Sequence, residues 1–472
     1  MKAQSQHRRP SIARRGFASV MAMLYLVLFT TLALGFYSAT TMSVQVAKNE
    51  RSLTVSQFAA ESGLQFARYQ LGTVVIPTNT PTNQLLSSVY STLQSNLNGT
   101  SNLNGDTVGM VNGVINVPSS STNYISADST SGAKFRITVA QNGDKLVVTS
   151  YGRGNDASVS RILQLQFSKA AKASAIFNYG VATKGKLTTG GASYILGQPD
   201  PAKGSVLSTD MADSIPIVIG GKQVSGDVSI SNPNGSISYS AGTSIGGTSD
   251  ASQIPNHIHI GVPAPLFPTV DTSPYQSAVT LSTYDAATMG NTLTNVIIPP
   301  NTNPSFTGNA TITGVLVIQA PNVVTFKGNA AVQGVIVEDT TTSPTFNATT
   351  NKLVFSGSVT ASSVSTLPNT SQFTNLRPLT GAFILAPDFN VNFSGDFGTI
   401  GGSIISGELN MTGNATGTVQ GSVIDVNNTP STVNGSSDII IASTGTSNYP
   451  PGVSFGYYYT PLPDTYAEIV PQ

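Results

Sequence analysis

The sequence predicts an α+β N-terminal region with a long N-terminal transmembrane helix, followed by a mainly β domain with the pattern of an irregular β-solenoid. Three observations lead to this prediction. The chain carries no charge from Gly16 to Ala47, it shows short strand-like apolar runs between residues 109 and 167, and it contains a repeat between residues 306 and 337. We expect a basic leader at 1–16, the long helix at 17–71, a small αβ domain at 72–170 and a solenoid-like extracytoplasmic domain at 171–472.

The composition limits the possible functions. Charged residues make up 9% of the 472 residues, compared with about 25% in typical soluble proteins. The chain has no Cys, which excludes disulfides and thiolate metal sites. Basic residues are concentrated near the apolar segment and the remainder is weakly acidic. This distribution argues against nucleic-acid binding, which needs a clustered basic face.

The uncharged segment has the properties of a retained membrane span. Its most apolar part runs from Phe17 to Phe36, and residues 16–47 would form a helix of about 48 Å, longer than a hydrocarbon core of about 30 Å. The basic residues before it predict a single pass through the cytoplasmic membrane with the N-terminus inside. A cleaved secretory signal is the alternative, but its apolar core would have only about 7–15 residues. Tyr37-Ser38-Ala39 is a poor cleavage site for such a signal.

The helical pattern continues in polar form from Asn49 to Leu71. Apolar and small residues form one stripe there, namely Leu53, Phe58, Ala59, Ala60, Gly63, Phe66, Ala67 and Leu71. Such a stripe must pack on another surface. We expect that surface to be the protein's own globular domain, with packing against neighbouring subunits as a second possibility.

Two motifs in this region resemble a known family. Arg15-Gly16-Phe17 resembles the class III signal of type IV pilins, and Ala59-Ala60-Glu61-Ser62-Gly63-Leu64 is similar to a stretch of PilX-type minor pilins. The resemblance covers roughly residues 10–75, with a weaker similarity as far as residue 168. It implies cleavage by prepilin peptidase after Gly16, with Phe17 as the new, N-methylated terminus. It also implies other pilins or pseudopilins and the inner-membrane assembly platform as partners.

One position departs from the family pattern. Major pilins have Glu at the fifth mature position, where it meets a neighbour's terminal amine, whereas this chain has Met21. A thioether cannot form that ion pair. The departure therefore favours a minor, priming or tip subunit over a subunit of the filament shaft.

Residues 72–170 have the pattern of a small antiparallel domain. A short amphipathic pattern covers 83–97, and strand-like runs cover 109–117, 134–140, 145–151 and 158–167. Asn142-Gly143 lies between two of these runs and predicts a tight hairpin.

The rest of the chain contains a repeat with a period of about twenty residues. Phe306–Val317 realigns with Phe326–Val337, and looser copies occur near Gly357, Gly395 and Gly413. A period of this length indicates a β-solenoid, with Phe306 stacked on Phe326 at ~4.8 Å. We expect Gly308 and Gly328 to form corners with positive φ. A β-sandwich of hairpins is the competing fold. The aromatic and proline-rich segment Gly456–Pro463 is predicted to cap the solenoid.

The candidate chemical groups are few. His257 and His259 lie on one side of a predicted strand and form at most half of a metal site, so exposed histidines are the favoured interpretation. Glu338, Asp339, Asp388, Asp396 and Asp425 are candidate acids for a glycosidase or lyase, but the sequence gives them no basic partner. We predict no catalytic residue, no cofactor and no metal.

The resemblance and the large C-terminal domain together lead to one functional expectation. They predict a membrane-anchored minor or tip subunit of a type IV pilus or related secretion filament, which displays a β-solenoid body for assembly, surface contact or adhesion. Two alternatives remain open. One is an anchored or secreted carbohydrate-active β-solenoid enzyme, and the other is a single-pass surface protein that is not processed as a pilin.

Overall fold

The computed structural model describes residues 15–77, 80–103, 105–156, 158–442 and 449–469. They form two compact units. The first contains residues 15–76, 80–170 and 458–469, and the second consists mainly of residues 171–457. The predicted basic leader lies outside the described residues except for its last two positions, which begin the first helix.

The first unit is a long helix with an antiparallel sheet. Its elements up to residue 171 are α1 (Arg15–Thr73), α2 (Leu85–Leu97), β1 (Gly109–Val111), β2 (Val114–Val117), β3 (Ile125–Asp128), β4 (Ala133–Asn142), β5 (Lys145–Arg153) and β6 (Ser160–Ala171). The predicted hairpin is confirmed, because β4 and β5 pair in antiparallel register and Gly143 between them has a φ of 63°. No strand pattern in the sequence predicts β3.

The second unit is made of short strands. Its first part contains β7 (Val181–Thr183), β8 (Leu187–Thr189), β9 (Tyr194–Gly197), β10 (Val206–Ser208), β11 (Ile217–Ile219), β12 (Gln223–Val224), β13 (Val228–Ile230), β14 (Ile237–Tyr239), β15 (Ser244–Ile245), β16 (Ile258–Ile260), β17 (Thr269–Val270), α3 (Ser273–Ser277), β18 (Ser282–Thr283) and α4 (Ala286–Met289). Its second part contains β19 (Thr292–Ile298), β20 (Ser305–Phe306), β21 (Ala310–Ile318), β22 (Asn322–Phe326), β23 (Ala330–Glu338), β24 (Asn351–Phe355), β25 (Val359–Ser362), β26 (Gly381–Phe393), β27 (Gly398–Ile400), β28 (Gly402–Met411), β29 (Thr416–Val419), β30 (Val423–Asp425), β31 (Ser431–Val433), β32 (Asp438–Ile441) and β33 (Val453–Ser454).

The last strand, β34 (Tyr457–Ile469), returns to the sheet of the first unit and lies beside β6. The side chain of Arg161 contacts Glu468, while Thr460 donates to the carbonyl of Ser168, so the two strands run antiparallel. The predicted cap at Gly456–Pro463 is therefore wrong. The predicted end of the second domain at residue 472 is corrected as well. Residues 171–457 are inserted between two neighbouring strands of one sheet, β6 and β34, so the second unit ends at residue 457.

Parallel pairing at the predicted spacing organises the second unit. Strand β21 pairs with β23 in register from Ala310↔Ala330 onward, and the rings of Phe306 and Phe326 stack with centroids 5.0 Å apart. The pairings described in its two large sheets are all parallel, as β7 and β10 illustrate, which excludes a sandwich of antiparallel hairpins. Parallel strands of this kind need apolar cover on both faces.

The predicted role of Gly308 and Gly328 needs correction. Neither glycine is among the residues with positive φ. Instead, a Cβ atom on Gly328 would lie 2.4 Å from the carbonyl oxygen of Gly308. Glycine is needed at this position because two backbones approach each other closely, not because of a left-handed conformation.

The chain does not traverse the parallel stack from one end to the other. Strand β7 lies in the middle, between β10 on one side and β30 on the other. From β7 the chain builds outward through β10, β13 and β16. Residues 261–281, which we call the connector, then lead to β18, and the chain builds back through β19, β21 and later strands to β30.

Both ends of the apolar core of this stack are covered by internal segments. At one end Ile254 is buried in the core, within a short helical turn before β16. At the other end the ring of Tyr284 packs edge-on against Phe306 with centroids 5.8 Å apart, and Met289 of α4 packs nearby. The connector covers an outer apolar face, where Tyr275 is fully buried beside Val315 and Val335. The capping function predicted for the C-terminus therefore belongs to these internal segments.

Candidate functional site: an exposed apolar helix docked on a sheet

The N-terminal part of α1 is apolar and uncovered. The helix is long and apolar enough to cross a membrane, and none of its most hydrophobic window, of mean hydropathy 2.1, is buried. Phe17 is 75% exposed in its first turn, and Met21 is 38% exposed one turn later. Gly16 precedes Phe17 within the same helix. Such a surface is stable only in contact with lipid or with other apolar groups.

The C-terminal part of α1 docks on the sheet through small residues. Ala59, Ala60, Gly63 and Ala67 are buried there. A Cβ atom on Gly152 of β5 would lie 2.2 Å from the backbone nitrogen of Ala60. Helix and strand therefore meet backbone to backbone at this point, with no room for a side chain on Gly152.

The predicted stripe divides into two surfaces. Its small residues and Leu71 face the sheet, whereas Leu53 and Phe58 stay exposed, Phe58 by 62%. The Phe66 ring packs against Phe135 of β4 with centroids 5.6 Å apart. Of the predicted stripe, Leu53 and Phe58 therefore remain available for contacts outside the chain.

The exposed side of α1 borders a groove next to the C-terminal strand. Phe58, Leu165 of β6, and Pro461, Pro463 and Tyr466 of β34 line it. Glu61 and Arg68 add one charge of each sign. The sequence does not predict this groove, because the two prolines on β34 argue against an ordinary strand, although they are tolerated on a sheet edge.

Among the candidate acids of the parallel domain, Glu338 and Asp388 lie next to each other, whereas Asp396 and Asp425 each belong to another local group. Glu338 is fully buried at the end of β23, and its Oε2 accepts a hydrogen bond from the backbone of Asp388 at 2.8 Å. Burial raises the pKa of Glu338 to about 8, against the opposing effect of that hydrogen bond. Burial also raises the pKa of Asp388. Asp396 accepts from the backbone of Thr416 at 3.2 Å in an exposed turn.

Asp425 belongs to a separate buried group. Its two carboxylate oxygens accept hydrogen bonds from the hydroxyls of Ser406 and Ser431. Complete burial raises the pKa of Asp425 to about 6, while both hydroxyls act in the opposite direction. Each of these contacts joins neighbouring strands of the stack, so Asp425 has a structural role that its position in the sequence did not reveal.

His257 and His259 converge on one carboxylate, that of Asp227, which no sequence motif indicates. Nδ1 of His257 lies 2.8 Å from Asp227 Oδ1, and Nε2 of His259 lies 3.1 Å from Asp227 Oδ2. Burial opposes ionisation of Asp227, but the hydrogen bonds to the two histidines outweigh it and lower the pKa of Asp227. Within the described residues no group of three or more His, Cys, Asp or Glu is arranged to hold a metal ion.

A scan against protein-family models finds no match, and a search of curated proteins finds no similar sequence. Among solved structures, the competence-associated pilin ComZ from Thermus thermophilus matches over 89% of this chain and 98% of its own, at 13% identity and a TM-score of 0.24. A TM-score this low carries no argument for a shared function.

Proposed function

We propose that this chain is a membrane-anchored, pilin-like subunit of a type IV pilus or a related secretion filament. The observation that carries the proposal is the division of α1 into an exposed apolar part and a part docked on an antiparallel sheet. The exposed part suits both a lipid bilayer before assembly and packing against other helices afterwards. The N-terminus would lie in the cytoplasm and both compact units outside, consistent with the basic leader.

The resemblance at Arg15-Gly16-Phe17 supports processing by prepilin peptidase after Gly16. Mature subunits would then begin at Phe17, with Met21 in place of the family's Glu. This position supports a minor or tip role, as does an insertion that occupies residues 171–457. Repeated copies of so large a domain would crowd a filament shaft.

The inserted domain would serve as the displayed body. We interpret its in-register parallel strands as an irregular β-solenoid, which acts as a spacer or as a contact surface. Its low charge suits contacts made through Ser, Thr and Asn side chains. A structural role is favoured over catalysis because Asp425 and Asp339 are each engaged by neutral donors.

Quantitative proteomics of sheared surface filaments tests this proposal. A minor or tip subunit should appear in the sheared fraction at far below the abundance of the major pilin, and it should disappear from that fraction when the assembly platform is deleted. Recovery only in the membrane fraction of filament-producing cells would instead support the unprocessed surface protein. Release of reducing ends from polysaccharides by the detergent-solubilised chain would support the enzyme.

A further inference from the structure

A polar pocket lies where α1 leaves the sheet of the first unit. Every residue of α1 from Phe17 to Arg51 is exposed, and Ser56 is the first buried one after them. At this point the Ser56 hydroxyl lies 3.1 Å from the backbone carbonyl of Val159. The pocket has a volume of about 300 Å³. It is lined by Lys48, Arg51 and Ser52 of α1 and by residues 130–131 and 154–156, which belong to the loops before β4 and after β5.

The two cations of this pocket have no partner within the chain. Lys48 and Arg51 lie three residues apart and therefore on neighbouring turns of one helix face. Among the described residues, neither side chain forms a hydrogen bond or a salt bridge shorter than 4 Å. The hydroxyl of Ser52, next to Arg51, also has no hydrogen-bond partner in that part of the chain. Three donors thus line one pocket without an acceptor.

The acid in the pocket neutralises only one of the two cations. Oδ1 of Asp156 accepts from the backbone N–H and the hydroxyl of Ser158 at 3.0 and 2.6 Å. These hydrogen bonds, with a smaller effect of the Lys48 charge, lower the pKa of Asp156, so this residue is ionised at neutral pH. Asp128 at the end of β3 accepts from two backbone N–H groups of its own loop and does not line the pocket. Two cations and one anion leave the pocket with a net positive charge, which suits a singly charged anion.

The pocket lies at the level of the outer lipid headgroups when α1 spans a membrane. Lys48 is the first charged residue after the uncharged segment 16–47. That segment forms a helix of about 48 Å, and a bilayer with its headgroup regions is about 40–45 Å thick. Side chains on a helix tilt toward its N-terminus, which here is the membrane side, and long basic side chains reach toward the interface.

We infer that this pocket binds the phosphate group of a membrane phospholipid, held by Lys48, Arg51 and the hydroxyl of Ser52. A phosphodiester carries one negative charge, and a guanidinium group can donate two hydrogen bonds to it. A pocket of about 300 Å³ takes a headgroup, while the acyl chains lie along the exposed apolar part of α1. The inference rests on the membrane anchoring in the proposed function, and it does not depend on cleavage after Gly16 or on filament assembly.

Native mass spectrometry of the full chain in detergent micelles, titrated with phosphatidylglycerol, tests the inference. The parent chain should retain one phosphatidylglycerol molecule and should not retain diacylglycerol, which has the same acyl chains and no phosphate. The double variant Lys48→Gln/Arg51→Gln should bind phosphatidylglycerol at least about tenfold more weakly. Ser52→Ala removes a donor without changing the charge, and it should weaken binding by about three- to tenfold.

A second double variant, Arg68→Gln/Lys145→Gln, is the matched control. It removes two exposed positive charges of the same unit that do not line the pocket, so the affinity for phosphatidylglycerol should stay at the parent value. Millimolar inorganic phosphate, added to the parent complex, separates the two sources of a phosphate group. The lipid should stay bound, because its acyl chains add contacts with α1 that free phosphate lacks.

Three results would overturn the inference. They are equal retention of diacylglycerol and phosphatidylglycerol, equal weakening by the two double variants, and displacement of the lipid by millimolar inorganic phosphate. The first shows binding through acyl chains alone, the second a general effect of surface charge, and the third a site for free phosphate. A chain that keeps its leader but binds the lipid as described would contradict the processed pilin and support the pocket, so the two failures are distinguishable.

Discussion

The backbone N–H of Lys172 donates to the carbonyl of Gly456 with the two atoms 3.0 Å apart. The chain therefore enters and leaves the inserted domain at the same place. Nearby, the backbone N–H of Ser174 donates to the Tyr449 hydroxyl at 3.2 Å. A domain whose two ends meet can be inserted between adjacent strands without separating them, and β6 and β34 remain neighbours in one sheet.

This arrangement predicts which unit depends on the C-terminal strand. Deletion of residues 458–469 should uncover the edge of β6, remove the contacts of Gln166 and Ser168 with β34, and destabilise the first unit while the parallel domain stays folded. Exchange protection of peptides from β5 and β6, compared with peptides from β21 and β23, measures the difference.

The matched control for that deletion is Glu468→Gln. It removes only the partly exposed ion pair with Arg161, which should contribute no more than about 1 kcal/mol. Loss of protection in β21 and β23 after the deletion would support the C-terminal cap that the structure argues against.

Docking of α1 should depend on the absence of a side chain at Gly152. Gly152→Ala places a Cβ atom 2.2 Å from both Ser56 O and Ala60 N, so the helix must move away. We expect the free energy of unfolding to fall by about 1–3 kcal/mol. The loss should be measurable as faster proteolysis, relative to the parent chain, of the segment that joins the helix to the sheet. Gly72→Ala, where the new methyl group meets nothing within 4 Å, should be neutral or slightly stabilising.

The aromatic stack should be a main source of stability in the parallel domain. Phe326 lies between Phe306 and Phe355, with ring centroids 5.0 and 5.1 Å away. Phe326→Ala should lower the free energy of unfolding by about 3–5 kcal/mol. Met211→Ala serves as the control, because Met211 is 63% exposed and its loss should change stability by less than about 0.5 kcal/mol. Equal melting temperatures for the two variants would contradict this assignment.

Asp425 should make the parallel domain more stable in mild acid. Its pKa rises from 3.8 when unfolded to about 6 when folded, so the folded state binds the proton more tightly. Stability should fall as pH rises from about 4 to about 6 and then remain level. Asp425→Asn should make the dependence of melting temperature on pH weaker across that window. A variant whose pH profile matches that of the parent would contradict the assigned burial.

Local patterns in the sequence predicted much of this fold. The apolar run gave α1, Asn142-Gly143 gave the β4–β5 hairpin, and the matched Phe306 and Phe326 segments gave the register of the parallel strands. Each of these signals lies within a few tens of residues. No such signal shows that the chain enters the stack in its middle. Val181 pairs with Val423 at that point, and both residues belong to three-residue strands with no detectable repeat.

The candidate sites show the same limit. The sequence places His257 and His259 two residues apart. Their shared partner Asp227 lies just before a different strand, β13, and belongs to no local motif. The proximity of Glu338 to Asp388 depends on the irregular register of β26 between Ala386 and Asn390. The groove beside α1 is lined in part by β34. That strand follows β6 in the chain only after the entire inserted domain, so no local pattern connects the two strands.

The state of the mature N-terminus tests the central claim most directly. Intact mass spectrometry and N-terminal peptide sequencing of the protein from its native membrane should find a chain that begins at N-methylated Phe17 and keeps the whole apolar helix. A chain that still begins at Met1, or one cut near Ala39, would contradict the assignment as a processed pilin-like subunit.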